Sequence, residues 1–169
     1  MSLDDIRAGA RKLERRIAWR NGREYLAAVI VTAMFGQAIW QIPSTMARLG
    51  LGLIIVGVAF VVYYLHTHGS VRPLPEEFGA ASAVAFLRGQ LIRQRDLLRS
   101  VWLWYMLPLV PGMVLFLAAV ARHVPPDRAW RVVAIGGGGM GVLLVGGHLL
   151  NRYAASRIQA RIDALPSPD

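Results

Sequence analysis

The stretch VVAIGGGGMGVLLVGGHLL, Val132–Leu150, runs for nineteen positions without a charged residue and holds seven glycines. As a helix it would cover close to the ~30 Å of hydrocarbon at the centre of a bilayer. Working outward from it, three more stretches share that character: Tyr25–Ile42, Leu49–Leu65 and Val101–Val120. None contains Asp, Glu, Lys or Arg. The chain therefore reads as all-α: an integral membrane four-helix bundle made of two antiparallel transmembrane hairpins, with cytoplasmic amphipathic helices. The expected division is residues 1–24 as a cytoplasmic amphipathic helix and 25–65 as the first hairpin. Residues 66–100 follow as a linker and second cytoplasmic helix, 101–150 as the second hairpin, and 151–169 as a cytoplasmic tail.

Charge sets the expected orientation. The 169 residues carry a formal net charge of +9 and a mean hydropathy of +0.43. All but four of the nineteen basic residues fall in 1–24, 66–100 and 151–169; the exceptions are Arg48, Arg122, Arg128 and Arg131. The positive-inside rule then places both termini and the central segment on the cytoplasmic side of a bacterial inner membrane. Basic charge in this pattern marks topology and attraction to anionic lipid headgroups, not a nucleic-acid site. With no cysteine, disulfides, thiolate catalysis and cysteine-held metals are excluded. The N-terminal region is long and contains Asp4, Asp5, Glu14 and Glu24, so the first span reads as an uncleaved anchor.

Three segments outside the spans are amphipathic. Leu3, Ile6, Ala10, Leu13 and Ile17 recur at 3/4 spacing over 3–24, as do Val84, Leu87, Leu91, Leu98 and Val101, with Gln94 filling the remaining stripe position. Pro75 followed by Glu76 and Glu77 predicts the start of the second cytoplasmic helix. Asp96 lies three residues from both Arg93 and Arg99, a spacing suited to an ion pair. In the tail Ala155, Ile158, Ile162 and Leu165 form a third stripe. These stripes either rest on headgroups and on one another, or dock a cytoplasmic partner. The residues singled out for partner binding are Leu13, Ile17, Leu87, Leu91 and Arg95.

Inside the spans the informative residues are glycine and proline. Pro108 and Pro111 each remove a backbone donor, so a kink is expected in the third span. Gly137 and Gly141 form a GxxxG pair in the fourth, a pattern that lets helices approach closely, and Gly50, Gly52 and Gly57 in the second span are placed to face them. The helix-packing residues are then Gly57, Gly137 and Gly141, serving either the bundle interior or a homo-oligomer. Trp40 and Trp130 read as interfacial anchors. The order of amphipathic helix, span, span occurs twice, as a parallel repeat.

Chemistry finds little foothold. No predicted span holds an acid or base, which weighs against a proton-coupled transporter or an intramembrane hydrolase. His66, His68, His123 and His148 lack the accompanying carboxylates of a metal site, so neither metal nor other cofactor is expected. No nucleophile with a base and no phosphate loop is present, and the expectation is that the protein is not an enzyme.

At Arg20-Asn21-Gly22-Arg23-Glu24-Tyr25, Gln94–Trp102 and Trp104-Tyr105-Met106-Leu107-Pro108-Leu109-Val110-Pro111-Gly112 the chain resembles uncharacterised small multi-spanning membrane proteins of proteobacteria. The resemblance covers roughly residues 10–118. It implies a setting beside extracytoplasmic-function sigma factors, hence regulation or envelope stress, and carries no catalytic residues. The expected function is a non-enzymatic scaffold or regulator that binds a cytoplasmic regulatory protein through its amphipathic helices; the alternative is a small channel or transporter subunit.

Overall fold

The computed structural model describes residues 3–70 and 80–165. Among these residues every regular element is helical: α1 (Leu3–Gln41), α2 (Thr45–His68), α3 (Ala80–Arg99), a π-helical turn (Trp102–Met106), α4 (Val110–Ala121) and α5 (Pro126–Asp163). Two of them, α2 and α5, are long and apolar enough to cross a membrane, and α4 is a shorter apolar helix. The expected helix start at Pro75 lies outside the described residues.

Two elements are longer than the sequence division implies. No proline interrupts 3–41, and the Asn21-Gly22 pair does not break the helix, so the amphipathic and apolar parts of α1 form one rod of 39 residues. At 1.5 Å per residue it is ~58 Å long. Likewise α5 runs 38 residues from Pro126, its first-turn proline, through the glycine-rich stretch and into the tail. Between α1 and α2 the chain turns tightly: the Ser44 hydroxyl accepts from the Ala47 N–H at 3.4 Å, and Arg48 Nε donates to the Ile42 carbonyl at 2.7 Å.

The third apolar segment is where regular helix fails. After α3 the Leu107 N–H donates to the Trp102 carbonyl at 3.0 Å, the wider ring of a π turn, and residues 107–109 form a turn before α4 begins. Pro108 and Pro111 cannot donate to the carbonyls one turn back, so the α-ladder cannot pass through them. The expected kink is thus a π turn followed by a break, and only twelve residues of α4 remain, ~18 Å of helix.

Packing differs between the two ends of the molecule. At one end α1, α3 and α5 bring their stripes together around Ala83, Val84, Leu87, Leu91 and Ile162, with Leu13, Ile92, Ile158 and Leu165 against them. Beside this three-helix layer, Trp104 stacks on Tyr64 (5.1 Å, 15°) and its Nε1 donates to the Leu97 carbonyl at 3.0 Å. Val61, Leu65, Leu97 and Val101 enclose that pair. At the other end α2 packs chiefly on α4, α1 on α2, and α4 on α5. These segments follow one another as neighbours in chain order.

Here the rule of apolar inside, polar outside is inverted. Leu26, Val29 and Met34 of α1, Val56 and Phe60 of α2, Val114 of α4, and Ile135, Val142 and Leu143 of α5 are all exposed. No residue in the most apolar window of α5 is buried. Large apolar side chains of all four segments are thus open, where a water-soluble monomer leaves only patches of roughly a few hundred Å².

Candidate functional site

The three-helix layer gathers most of the residues that the sequence pattern picks out. Ile17, Leu87 and Leu91 are buried and Leu13 is half-buried against them. Their apolar faces therefore meet one another and the α5 tail, and none lies open to a second protein. The reason is the third stripe: Ala155, Ile158 and Ile162 close the trough that α1 and α3 alone would leave open. Arg95 ties the layer across its edge, donating from Nη1 to Gln159 Oε1 at 2.7 Å while Nη2 pairs with Asp96 at 2.7 Å. Asp96 thus takes its immediate neighbour in place of Arg93 or Arg99.

What stays outside is basic. Arg11, Lys12, Arg15 and Arg16 line an open groove on α1, and Trp19, one turn on, is 72% exposed. An exposed aromatic beside four cations is a combination that binding surfaces favour.

Beneath the layer lies a polar junction. Arg20 Nη1 donates to Gln94 Oε1 at 3.3 Å, and Arg20 Nη2 and Nε donate to Asn21 Oδ1 at 3.1 and 3.3 Å. Asn21 Nδ2 donates in turn to the Gly69 carbonyl at 3.2 Å, binding α1 to the end of α2. Burial lowers the Arg20 pKa from its ordinary value, while the nearby Glu24 charge opposes that shift; a guanidinium keeps its proton regardless. Replacing Asn21 with leucine is expected to leave the Gly69 carbonyl and two Arg20 donors unserved, at about 1–3 kcal/mol. A thermal melt of the N21L protein checks this; an unchanged midpoint would show the junction to be dispensable.

The glycines sort themselves by geometry. A Cβ on Gly57 would sit 2.7 Å from the Pro108 carbonyl oxygen, and one on Gly50 2.6 Å from the Phe116 nitrogen. Both face the third apolar segment, not the fourth, because α2 packs on α4. Gly112 completes that seam, with a Cβ only 2.6 Å from the Ile54 nitrogen and 2.7 Å from the Gly50 carbonyl oxygen. In α5, Gly136 approaches Leu117 and Gly137 makes an ordinary contact with it, while Gly141 has open space around it. The GxxxG pair is therefore no seam within the chain.

Sequence reasoning passed over Glu24, which ends one residue before the first apolar stretch. Its carboxylate accepts from the Tyr105 hydroxyl at 3.0 Å, across 81 positions of chain. The histidines are engaged separately: His68 stacks on Tyr64, His148 stands edge-on to Trp102, and a His123 ring nitrogen lies 2.7 Å from the Ala119 carbonyl oxygen. Among the described residues no three His, Asp or Glu side chains gather in a way that would hold a metal. No known protein family, curated protein or solved structure matches the chain.

Proposed function

We propose that this is a non-enzymatic integral protein of the bacterial inner membrane, crossing it four times, that presents a small cytoplasmic helical platform to a regulatory protein. The observation that carries the reading is the inversion of burial along the molecule. A belt of exposed Leu, Val, Ile and Phe suits lipid, whereas the layer built by α1, α3 and α5 buries its apolar stripes and exposes charge, as in water. Trp40 and Trp130, 87% and 64% exposed at the far ends of the apolar segments, fit the level of the opposite headgroups. The Pro108–Pro111 break is tolerable in hydrocarbon because α2 packs closely against it.

Since Leu13, Ile17, Leu87 and Leu91 are internal, the partner meets the face of Lys12, Arg15, Arg16 and Trp19 and is itself acidic there. Anionic headgroups compete for the same cations. Charge reversal at Arg15 and Arg16 is expected to abolish co-purification of the cytoplasmic protein without lowering the melting temperature, since both side chains are exposed. Retention of the partner by that variant would refute the assignment of the face.

The absence of native cysteine makes topology directly testable. Ser44→Cys is expected to react with an impermeant maleimide added outside intact spheroplasts, and Ser156→Cys only after lysis. Equal labelling of both from outside would overturn the four-span reading.

A further inference from the structure

We propose that the cavity between the first three membrane segments holds one hydrocarbon chain of an aminophospholipid, whose primary ammonium group sits on the Glu24 carboxylate. The inference rests on the four-span reading above. The cavity encloses about 260 Å³ between α1, α2 and the start of the third segment. Val31, Phe35, Ile54 and Met113 line it; among the described residues Glu24 and Tyr105 are its only polar lining residues.

Water does not suit this space. A buried water needs two to four polar partners, and here both polar groups stand at one end and already bond each other. Hydrocarbon suits the remainder, and lipid chains are what a bilayer supplies to a cavity at that depth.

The headgroup follows from charge. Among the described residues Glu24 forms no ion pair; its partner is the neutral Tyr105 hydroxyl. Arg20, one turn earlier on the same helix, is near enough for the two charges to act on each other, but it makes no direct ion pair with Glu24 and directs three of its N–H groups to Asn21 and Gln94. A carboxylate at the edge of hydrocarbon with no cation in direct contact is costly, and an ammonium donor lowers that cost. A primary ammonium supplies both charge and N–H donors. A quaternary ammonium has the charge but no N–H donor, and a glycerol headgroup has no cation to offset its phosphate beside the carboxylate.

The test uses the full chain, purified in mild detergent with equimolar phosphatidylethanolamine, phosphatidylcholine and phosphatidylglycerol of matched chains, with bound lipid read by native mass spectrometry. Phosphatidylethanolamine is expected to exceed each of the others about tenfold, the effect of one charge-assisted hydrogen bond. Glu24→Gln is expected to erase that preference. Val31→Phe, which fills the cavity without touching the carboxylate, is expected to remove bound lipid while the melt stays cooperative. Equal retention of the three lipids by the wild type, a preference that survives in E24Q, or undiminished lipid in V31F each overturns the proposal. Release of the protein from membranes by alkaline carbonate would instead overturn the membrane reading beneath it.

Discussion

Replacing Leu91 with aspartate is expected to unfold the three-helix layer while leaving the apolar segments in place. Leu91 is 5% exposed and packs among Val84, Leu87 and Ile162. Losing the leucine alone would cost about 2–5 kcal/mol through the cavity left behind. Placing a carboxylate in that apolar cluster adds several kcal/mol more or forces the group to take up a proton. A core of this size has too little margin to absorb both. Trypsin is the direct probe, because a protease needs an extended backbone and the bonds after Arg88, Arg93 and Arg99 stay helical as long as α3 is docked. Rapid cleavage there in L91D, with α2 and the apolar half of α5 still resisting digestion, is the expected pattern, and binding of the cytoplasmic partner is lost with it. Protection equal to the wild type would show that the layer does not depend on this core. Leu13→Asp should act in the same direction but less strongly, since Leu13 is only half-buried.

The second large effect belongs to Gly112. Its missing Cβ leaves room for the backbone of α2, and an added methyl would stand 2.6 Å from the Ile54 nitrogen. Backbone atoms in a helix cannot step aside as a side chain does, so α2 and α4 must separate along the whole seam from Gly50 to Gly57. Gly112→Leu is expected to destroy the stable fold in detergent, and Gly112→Ala to lower its stability by about 1–3 kcal/mol, in the range of overpacked cores. The control lies in the same protein. Gly141→Ala meets nothing within 4 Å, and it removes the conformational freedom of a glycine in mid-helix, so it should be neutral or mildly stabilising. Equal melting temperatures for G112A and G141A would contradict the packing described.

Much of this architecture is legible in the residues. The stripes of Leu13 and Ile17, of Leu87 and Leu91, and of Ile158 and Ile162 are readable because helical spacing repeats within one element. That the three stripes form a single core is not, because joining α1, α3 and α5 is a matter of tertiary placement. Gln94 offered a signal: a polar residue in an apolar stripe asks for a partner, and the partner is Arg20, 74 positions away. Glu24 offered less. Bounding the first span by charge put it outside by definition, and its engagement with Tyr105 depends on where the π turn aims that ring. The glycines show the same limit from another side. Composition marks them as small, yet only packing tells Gly112, against the α2 backbone, from Gly141, against nothing. Gly137 and Gly141 stand out by their spacing, whereas nothing in the sequence around Gly112 marks its close approach to α2.

The uneven continuity of the helices has a mechanical consequence. Two of the three members of the layer, α1 and α5, are struts without a joint between their apolar and charged halves; the third, α3, is hinged at the π turn. A stiff strut pivoting within the bilayer carries its tilt to its far end, so ~5° of lean in a ~58 Å rod displaces that end by several ångströms. The hinge lets α3 follow without dragging α4 away from its seam with α2. Bilayer thickness sets the lean of a span that does not match it. In the four-span reading proposed above, the spacing of the cations on α1 from the rest of the layer follows the thickness of the bilayer.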